Sequence, residues 1–165
     1  MANTSGIKET IKCPNGFYFG DPCYALREDL YDKWIEWGEE REKTEGRFCN
    51  DGKFVYKGKE IMVVDSTAYG DGCYGGIRTN YGVDAGCLAV IPLEFCDGTK
   101  DSFADGGWIN RDYRGTVKLI TGDDGSFMLI DNKGLQLEYV ETGYDEEEEE
   151  DEETREFWDE DNEEE

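Results

Sequence analysis

The chain has 165 residues, 41 of them acidic and 17 basic, so its formal net charge at pH 7 is −24. This charge repels phosphate, which argues against direct binding to nucleic acid or to an anionic membrane face. The chain has no histidine, and its six cysteines include no Cys-x-x-Cys pair. These absences exclude histidine-based catalysis and most zinc sites, so we expect no metal, no cofactor and no catalytic residue.

The compartment is inferred from what the N-terminal region lacks. The stretch MANTSGIKETIK has no apolar run typical of a signal peptide, and no segment approaches the length needed to span a bilayer. We therefore expect a soluble cytoplasmic protein without a membrane partner. In a reducing cytosol the cysteines are expected to be buried thiols.

One helix is predicted, over residues 28–43, after a turn formed by Gly20-Asp21-Pro22-Cys23. Acidic residues at its start and basic residues at its end suit the helix dipole. Large apolar residues recur at helical spacing and predict one face that packs on the rest of the protein. They are Leu30, Tyr31, Trp34, Ile35 and Trp37.

The remaining elements read as about eight short strands. After a turn at Asn50-Asp51-Gly52, residues 53–56 alternate and residues 60–65 contain a β-rich run that follows Gly58, so we expect two hairpins before residue 66. Residues 86–95 are the most apolar segment and predict a buried strand, with Pro92 at its edge or at a bulge. Residues 116–141 contain three apolar runs separated by Gly/Asp/Asn turns, which predict an antiparallel meander.

Glycines, acids and tyrosines concentrate between the predicted strands in the middle of the chain. Ordinary tight turns explain this composition, because glycine tolerates positive φ and aspartate caps turns. The functional alternative is a pocket for a small ligand such as a metal ion, a sugar or a nucleoside. Its candidate residues are Asp21, Tyr69, Asp71, Tyr74, Arg78, Tyr81 and Asp84. Arg78 is the only base between Glu60 and Lys100, so a phosphate would depend on it and on backbone N–H groups.

Together these elements predict a mainly β (α+β) protein. We expect residues 1–144 to form a single domain, a curved antiparallel sheet or small barrel with one helix packed on it. Residues 145–165 are expected to be a disordered acidic tail, because they hold sixteen carboxylates and one base. The tail carries −15 of the −24, which leaves −9 on residues 1–144.

The tail contains two adjacent aromatic residues, Phe157 and Trp158, between acidic runs. This arrangement is typical of an aromatic anchor flanked by charge, which a basic partner could bind. The predicted partner contacts are Phe157 and Trp158 with Glu148, Glu149 and Asp159. The alternative is a tail that only increases solubility.

Three segments of the chain carry a resemblance to known proteins. GDPCY at 20–24, TAYGDGCY at 67–74 and VDAG at 83–86 are similar to the ordered motifs of a group of small bacterial and bacteriophage proteins. The resemblance covers about residues 17–95 and implies a mostly β scaffold with a phage or mobile-element origin. It implies no mechanism, and the acidic tail lies outside it.

The leading functional hypothesis is a non-enzymatic interaction protein. A phage-encoded acidic chain would bind a basic protein, such as a nucleic-acid-binding host or defence factor, and inhibit or modulate it. One alternative is a module that binds or sequesters a small ligand or nucleotide through the Gly/Asp/Tyr-rich middle. Another is a metal-dependent hydrolase, although residue spacing specifies neither alternative.

Overall fold

A computed structural model describes residues 7–45, 51–84, 86–100, 106–122 and 124–143. Eleven strands, one helix and two short 3-10 turns occur within these ranges. The strands are β1 (Lys8–Cys13), β2 (Phe17–Gly20), β3 (Gly52–Tyr56), β4 (Lys59–Ser66), β5 (Gly72–Gly75), β6 (Asn80–Val83), β7 (Cys87–Pro92), β8 (Gly107–Asn110), β9 (Gly115–Thr121), β10 (Ser126–Ile130) and β11 (Gln136–Glu141). The helix α1 is Glu28–Glu45, and the 3-10 turns are Pro22–Tyr24 and Leu93–Phe95.

A five-stranded antiparallel sheet in the order β3-β4-β7-β2-β8 forms the middle layer. Both of its faces are covered, and side chains alternate between two apolar clusters. Phe17 and Phe19 of β2 enter one cluster, whereas Tyr18 enters the other. In β7, Leu88 and Val90 alternate in the same way with Cys87, Ala89 and Ile91.

A four-stranded antiparallel sheet, β1-β9-β10-β11, covers one face of the middle layer. Its inward residues include Val117, Leu119, Phe127 and Leu129, which are buried against the aromatic rings of β2. The hairpin β5–β6 adds Tyr74 and Tyr81 to the same core.

The helix α1 covers the opposite face. Trp34 is 1% exposed, and Leu30 is also buried in the cluster that contains Tyr18 and Phe54. Near the end of the helix, the Arg41 guanidinium lies 4.4 Å from the centre of the Trp37 ring and donates to the Asp51 carbonyl at 2.5 Å. These contacts fix the C-terminal half of the helix on the sheet.

The edge strand β8 approaches β2 closely because both carry glycine at the point of contact. Gly107 pairs with Gly20, and a Cβ atom on Gly107 would lie 2.3 Å from the Phe19 carbonyl oxygen. Any larger residue would therefore require the backbone to move.

The predicted class is confirmed: the protein is mainly β, with one packed helix and antiparallel sheets. The described strands form three separate antiparallel sheets and no closed barrel, so the small barrel is wrong and the single curved sheet is replaced by stacked sheets. The meander at 116–141 appears as β9–β10–β11. The number of strands differs from the eight expected, mainly because β1 is too polar and β8 too short to stand out.

The expected pair of hairpins before residue 66 is a second difference. Among the residues described before position 66, only β3 and β4 pair as a hairpin, whereas β1 pairs with β9 and β2 lies between β7 and β8. Gly16, with φ of 95°, lies in the short turn that moves the chain from one sheet to the other. The strands β1 and β2, adjacent in sequence, are therefore in different layers.

The cysteines follow their expected environment in part. Cys13 and Cys87 are buried, Cys23 and Cys96 are half-buried, and Cys73 is exposed, all as free thiols. Cys49 and the acidic tail lie outside the described residues. Within the described ranges, no helix has the length and apolar character needed to cross a bilayer.

Candidate functional site

The three sequence motifs meet in space at one end of the five-stranded sheet. We call this region the motif junction; it comprises residues 20–24, 67–74, 83, 84 and 86. The Asp84 N–H donates to Asp21 Oδ2 at 2.5 Å, which joins the first and third motifs. The Thr67 N–H donates to the Gly86 carbonyl at 3.0 Å, which joins the second and third.

Asp21 is the buried centre of the junction. It is fully buried and precedes the 3-10 turn Pro22–Tyr24, where its Oδ1 accepts from the Cys23 N–H at 2.8 Å. Pro22 suits the first position of this turn because it has no N–H to satisfy. Both carboxylate oxygens of Asp21 thus accept hydrogen bonds from backbone N–H groups, one in its own turn and one on the neighbouring loop.

The junction also contains a thiol, Cys23. Burial raises its pKa to about 12, and the hydrogen bond and charge of Asp21 act in the same direction. The thiolate is the reactive form of cysteine, so this side chain stays protonated and unreactive at neutral pH. Cys23 is therefore no nucleophile, whereas the second thiol of the junction, Cys73, is exposed.

The outer part of the junction is acidic and aromatic. Asp84 is exposed, and its Oδ2 accepts a short hydrogen bond from the Tyr24 hydroxyl, which raises the pKa of Tyr24 above its ordinary value. Asp71 is exposed, and Tyr69 is 53% exposed. The Tyr74 hydroxyl instead donates inward to the Gly70 carbonyl at 2.9 Å. Aspartates and tyrosine at this surface could contact the hydroxyl groups or cationic groups of a ligand.

Two predicted ligand residues, Arg78 and Tyr81, belong to a different cluster centred on Glu138. This carboxylate is fully buried, and its Oε1 accepts from the N–H groups of Ile77 at 2.8 Å and Tyr139 at 2.7 Å. Its Oε2 accepts from the Arg78 N–H at 3.0 Å and from the Tyr81 hydroxyl. We call this arrangement the carboxylate anchor, because it ties the loop after β5 to β11.

The Arg78 side chain extends the carboxylate anchor toward β8. Its Nε donates to the Leu137 carbonyl at 3.0 Å, and its guanidinium lies 4.9 Å from the centre of the Trp108 ring. Burial raises the pKa of Tyr81 well above its ordinary value, with the Glu138 hydrogen bond and charge adding to the shift. Tyr81 therefore remains a neutral hydrogen-bond donor.

A cleft of about 270 Å³ lies beside the carboxylate anchor. It is open to solvent, and half-buried Tyr139 donates to Glu141 Oε2 at 2.9 Å at its side. The lining residues are Cys73, Tyr74, Gly75, Gly76, Ile77, Tyr139 and Glu141.

The seven predicted ligand residues thus divide between two places. Asp21, Asp84, Tyr69, Asp71 and Tyr74 lie in the motif junction, whereas Arg78 and Tyr81 hold Glu138. Their role in binding a ligand stays a prediction. Among the described residues, no three Cys, Asp or Glu side chains are grouped as a metal site would require.

Sequence reasoning missed Glu138, although one signal for it was present. In β11 the buried positions alternate, and Glu138 falls in the same phase as Val140. An acid in the inward phase of an amphipathic strand indicates a satisfied buried carboxylate. The predicted partner contacts Phe157, Trp158, Glu148, Glu149 and Asp159 lie outside the described residues.

A second candidate surface is the outward side of α1, which we call the acidic helix face. Seven exposed carboxylate residues lie along it within four turns of helix. They are Glu28, Asp29, Asp32, Glu36, Glu39, Glu40 and Glu42. Three of these acids form ion pairs: Asp29 with Arg27 at 3.4 Å, Glu36 with Lys33 at 3.4 Å and Glu40 with Lys43 at 3.2 Å. Arg41 contacts Trp37 instead.

Comparisons of this chain with known protein families, curated proteins and solved structures give no match. The resemblance of the three motifs to small bacterial and bacteriophage proteins therefore stays a prediction.

Proposed function

We propose that this chain is a non-enzymatic acidic interaction protein that binds a basic, nucleic-acid-binding protein and inhibits or modulates it. The observation that supports this most is the acidic helix face, a rigid surface of exposed carboxylates on a helix fixed by Trp34. A surface of this kind favours cationic grooves and steers them into contact over long distances.

The carboxylates of the acidic helix face are spaced along the helix at about the interval of phosphates along one strand of nucleic acid. Fifteen residues, 28–42, extend about 21 Å at 1.5 Å per residue, so seven carboxylates give one negative charge about every 3 Å. One strand of B-DNA carries one charge per 3.4 Å of helix axis. Ion pairs with Arg27, Lys33 and Lys43 leave four of the seven carboxylates unpaired among the described residues, or roughly one per 5 Å, which is about two thirds of the charge density of a single strand.

The acidic tail would act together with this face. Its fifteen net charges extend the attraction, and Phe157 and Trp158 would supply contacts that prolong the bound state. We further propose that the chain is phage-encoded, acts in the cytoplasm and targets a host or defence factor, in accord with the motif resemblance and the charge.

Competition for nucleic acid tests this proposal. Proteins captured from a bacterial lysate at low salt are purified singly, and displacement of their labelled DNA or RNA by the chain is followed by fluorescence anisotropy. We expect the triple variant Asp32→Asn, Glu36→Gln, Glu39→Gln to lose at least tenfold in displacement. Glu60→Gln, Asp112→Asn, Glu141→Gln removes the same charge elsewhere and serves as the matched control. Equal losses in both variants, or no displacement by the natural chain, would reject the proposal.

Binding kinetics separate the contributions of the tail. Truncation after residue 144 should lower the association rate most, because it removes long-range attraction. Phe157→Ala with Trp158→Ala should mainly raise the dissociation rate. If the truncated chain binds as fast and as tightly as the natural one, the tail only increases solubility.

A second candidate function, a module that binds a small ligand, is favoured by the convergence of the motifs. Segments far apart in sequence bring Asp84, Asp71 and Tyr69 to one surface. Calorimetric titration with Mg²⁺, Ca²⁺ and common nucleotides tests it, with the Asp71→Asn, Asp84→Asn variant as control. Heat that disappears in the variant, while its melting curve changes little, would support a ligand site; absence of heat with every probe would remove this candidate.

A further inference from the structure

A group of cations stands out on this otherwise acidic protein, at the opposite end of β4 from the motif junction. Two adjoining clefts of about 370 and 400 Å³ share Lys59, Glu94 and Phe95. One also includes Lys57 and Arg27, and the other includes Lys12. We call the two together the lysine cleft.

The lysines of this cleft are not neutralised by neighbouring acids. Lys33, Lys43 and Lys53 form ion pairs, whereas Lys12, Lys57 and Lys59 form none among the described residues. The nearby Glu60 pairs with Lys53 at 3.4 Å, and Arg27 pairs with Asp29. Lys53 is shared between Glu60 and Glu9, which lies 3.8 Å away, so the three ammonium groups of the cleft together with Glu94 and these pairs leave a small net positive charge.

The conformation of Lys57 is a second, independent observation. It has φ of 53° and occupies the two-residue turn between β3 and β4 with Gly58, whose φ is 78°. Asn or Asp is the favoured non-glycine residue at such a position. Among the described residues, the other positions with positive φ are glycines. Lys57 therefore carries backbone strain that Asn or Asp would largely avoid, and its ammonium group lies 5.4 Å from the centre of the Tyr56 ring in the cleft.

We propose that the lysine cleft binds the chain's own acidic tail, with Phe157 and Trp158 resting on Tyr56 and Phe95 between the lysines. The tail is the most acidic segment of the chain and carries its aromatic pair among carboxylates, which complements a cleft with an apolar floor and cationic sides. The contact requires no regular secondary structure in the tail. It goes beyond the proposed function, because it lies within one chain, and a basic partner that contacts Phe157 and Trp158 would have to displace them from the cleft.

The length of the tail suits this contact. The chain reaches Gly143 next to Gly125 and Ala68, near the Ser66 end of β4, whereas the lysine cleft lies at its Lys59 end. Eight residues of β4 span about 23 Å. The fourteen residues from Gly143 to Phe157 reach about 46 Å when extended and average about 20 Å when flexible. A tether matched to its span gives millimolar effective concentrations, so even a weak contact is populated.

Zero-length carboxylate-to-amine crosslinking of the full chain, followed by mass spectrometry, tests the proposal. Lys8 is the internal control: it is exposed and lies on the strand end nearest to where the tail begins, so tethering alone favours it. We expect tail carboxylates to couple to Lys57, Lys59 and Lys12 at least threefold more than to Lys8, and the excess to fall in 0.5 M NaCl. Preference for Lys8, or equal coupling to all lysines, would overturn the proposal.

Mixing isotope-labelled and unlabelled chains distinguishes contacts within a chain from contacts between copies. Coupling mainly between differently labelled chains would reject the contact in cis and assign the cleft to a second copy. The variant Phe157→Ala, Trp158→Ala leaves every crosslinkable group in place, and we expect it to remove most of the excess at the cleft. An unchanged pattern would overturn the aromatic part of the proposal.

NMR provides a readout that does not depend on reactive lysines. Lys12→Gln, Lys57→Gln, Lys59→Gln should shift the amide signals of Phe157 and Trp158 toward random-coil positions. Lys8→Gln, Lys118→Gln, Lys133→Gln removes equal charge and should leave them in place. Identical tail spectra in the natural chain and both variants would reject docking, whatever the outcome for a basic partner.

Discussion

The helix layer and the region around the carboxylate anchor are held in place by different forces. Trp34 and Leu30 bury α1 against an apolar sheet face through many small, non-directional contacts. The loop after β5 buries little apolar surface, and Ile77 is 63% exposed. Hydrogen bonds to one buried carboxylate, that of Glu138, hold this loop in position.

The difference indicates which surface tolerates sequence change. A packed layer loses stability gradually as buried methylene groups are removed, and its outward face can carry any charge. A loop held by one carboxylate depends on every donor in the cluster, since a buried partner left without its bond is costly. The acidic helix face is therefore free to evolve toward a partner, whereas the anchor is constrained by structure.

The largest expected effect tests the packed layer. Trp34→Ala should destabilise the protein by about 3–5 kcal/mol, because it removes a fully buried indole and leaves a cavity. Ile35→Ala, at a half-buried position of the same helix, should cost about 1–2 kcal/mol. Urea denaturation followed by circular dichroism measures both. A loss below about 1 kcal/mol at Trp34 would mean that the helix contributes little to the core.

The next effect tests the carboxylate anchor. Glu138→Gln keeps the shape of the side chain but removes its charge and one acceptor, so we expect a loss of about 1.5–3 kcal/mol. Tyr81→Phe removes one donor to the same carboxylate and should cost about 1 kcal/mol. Hydrogen exchange should speed up at Ile77 and Arg78 in the Gln variant more than in α1. Uniform acceleration across the protein would show that the anchor is not a local device.

These two regions also differ in how well the sequence predicts them. The helix, the buried strand β7 and the meander follow from apolar periodicity, because their stability comes from the faces that the pattern describes. Apolar periodicity does not predict that the candidate ligand residues divide between two places. Arg78 and Tyr81 lie apart from the motif junction because they bind Glu138, which is about 60 residues away in the chain. Long-range polar contacts give only a weak signal in the sequence. Here the signal is one acid, Glu138, at an inward-facing position of β11.

A smaller effect tests whether the motif junction is a structural cluster or a ligand surface. Asp84→Asn should cost under about 1 kcal/mol, because it weakens an exposed bond from the Tyr24 hydroxyl. Asp71→Asn should change stability by less than about 0.5 kcal/mol. A double-mutant cycle of Asp84→Asn with Tyr24→Phe isolates the bond and should give a coupling energy below about 1 kcal/mol. A coupling above about 2 kcal/mol would mean that this pair is a structural contact like those of the carboxylate anchor and not part of a surface that tolerates substitution.

The smallest effect concerns the exposed turn between β10 and β11, which resembles the carboxylate anchor in miniature. Asp131 Oδ1 accepts from the N–H groups of Leu135 at 2.9 Å and Lys133 at 2.8 Å, and these bonds lower the pKa of Asp131 below 3.8. A carboxyl whose pKa is lower in the folded state stabilises the protein above its unfolded pKa, and this contribution is lost as pH falls through the folded value.

Asp131→Asn should therefore be less stable than the natural chain at pH 7, and the difference should shrink once the pH falls below 3.8 toward the lower pKa of the folded protein. Urea denaturation at several pH values between 2 and 7 measures this convergence. Asp112→Asn is the control, because Asp112 is exposed and its carboxylate accepts no hydrogen bond among the described residues. If the Asp131 and Asp112 variants show the same dependence of stability on pH, the loss of one surface charge explains both. Hydrogen bonds to a carboxylate would then stabilise this protein only where the carboxylate is buried, as at Glu138.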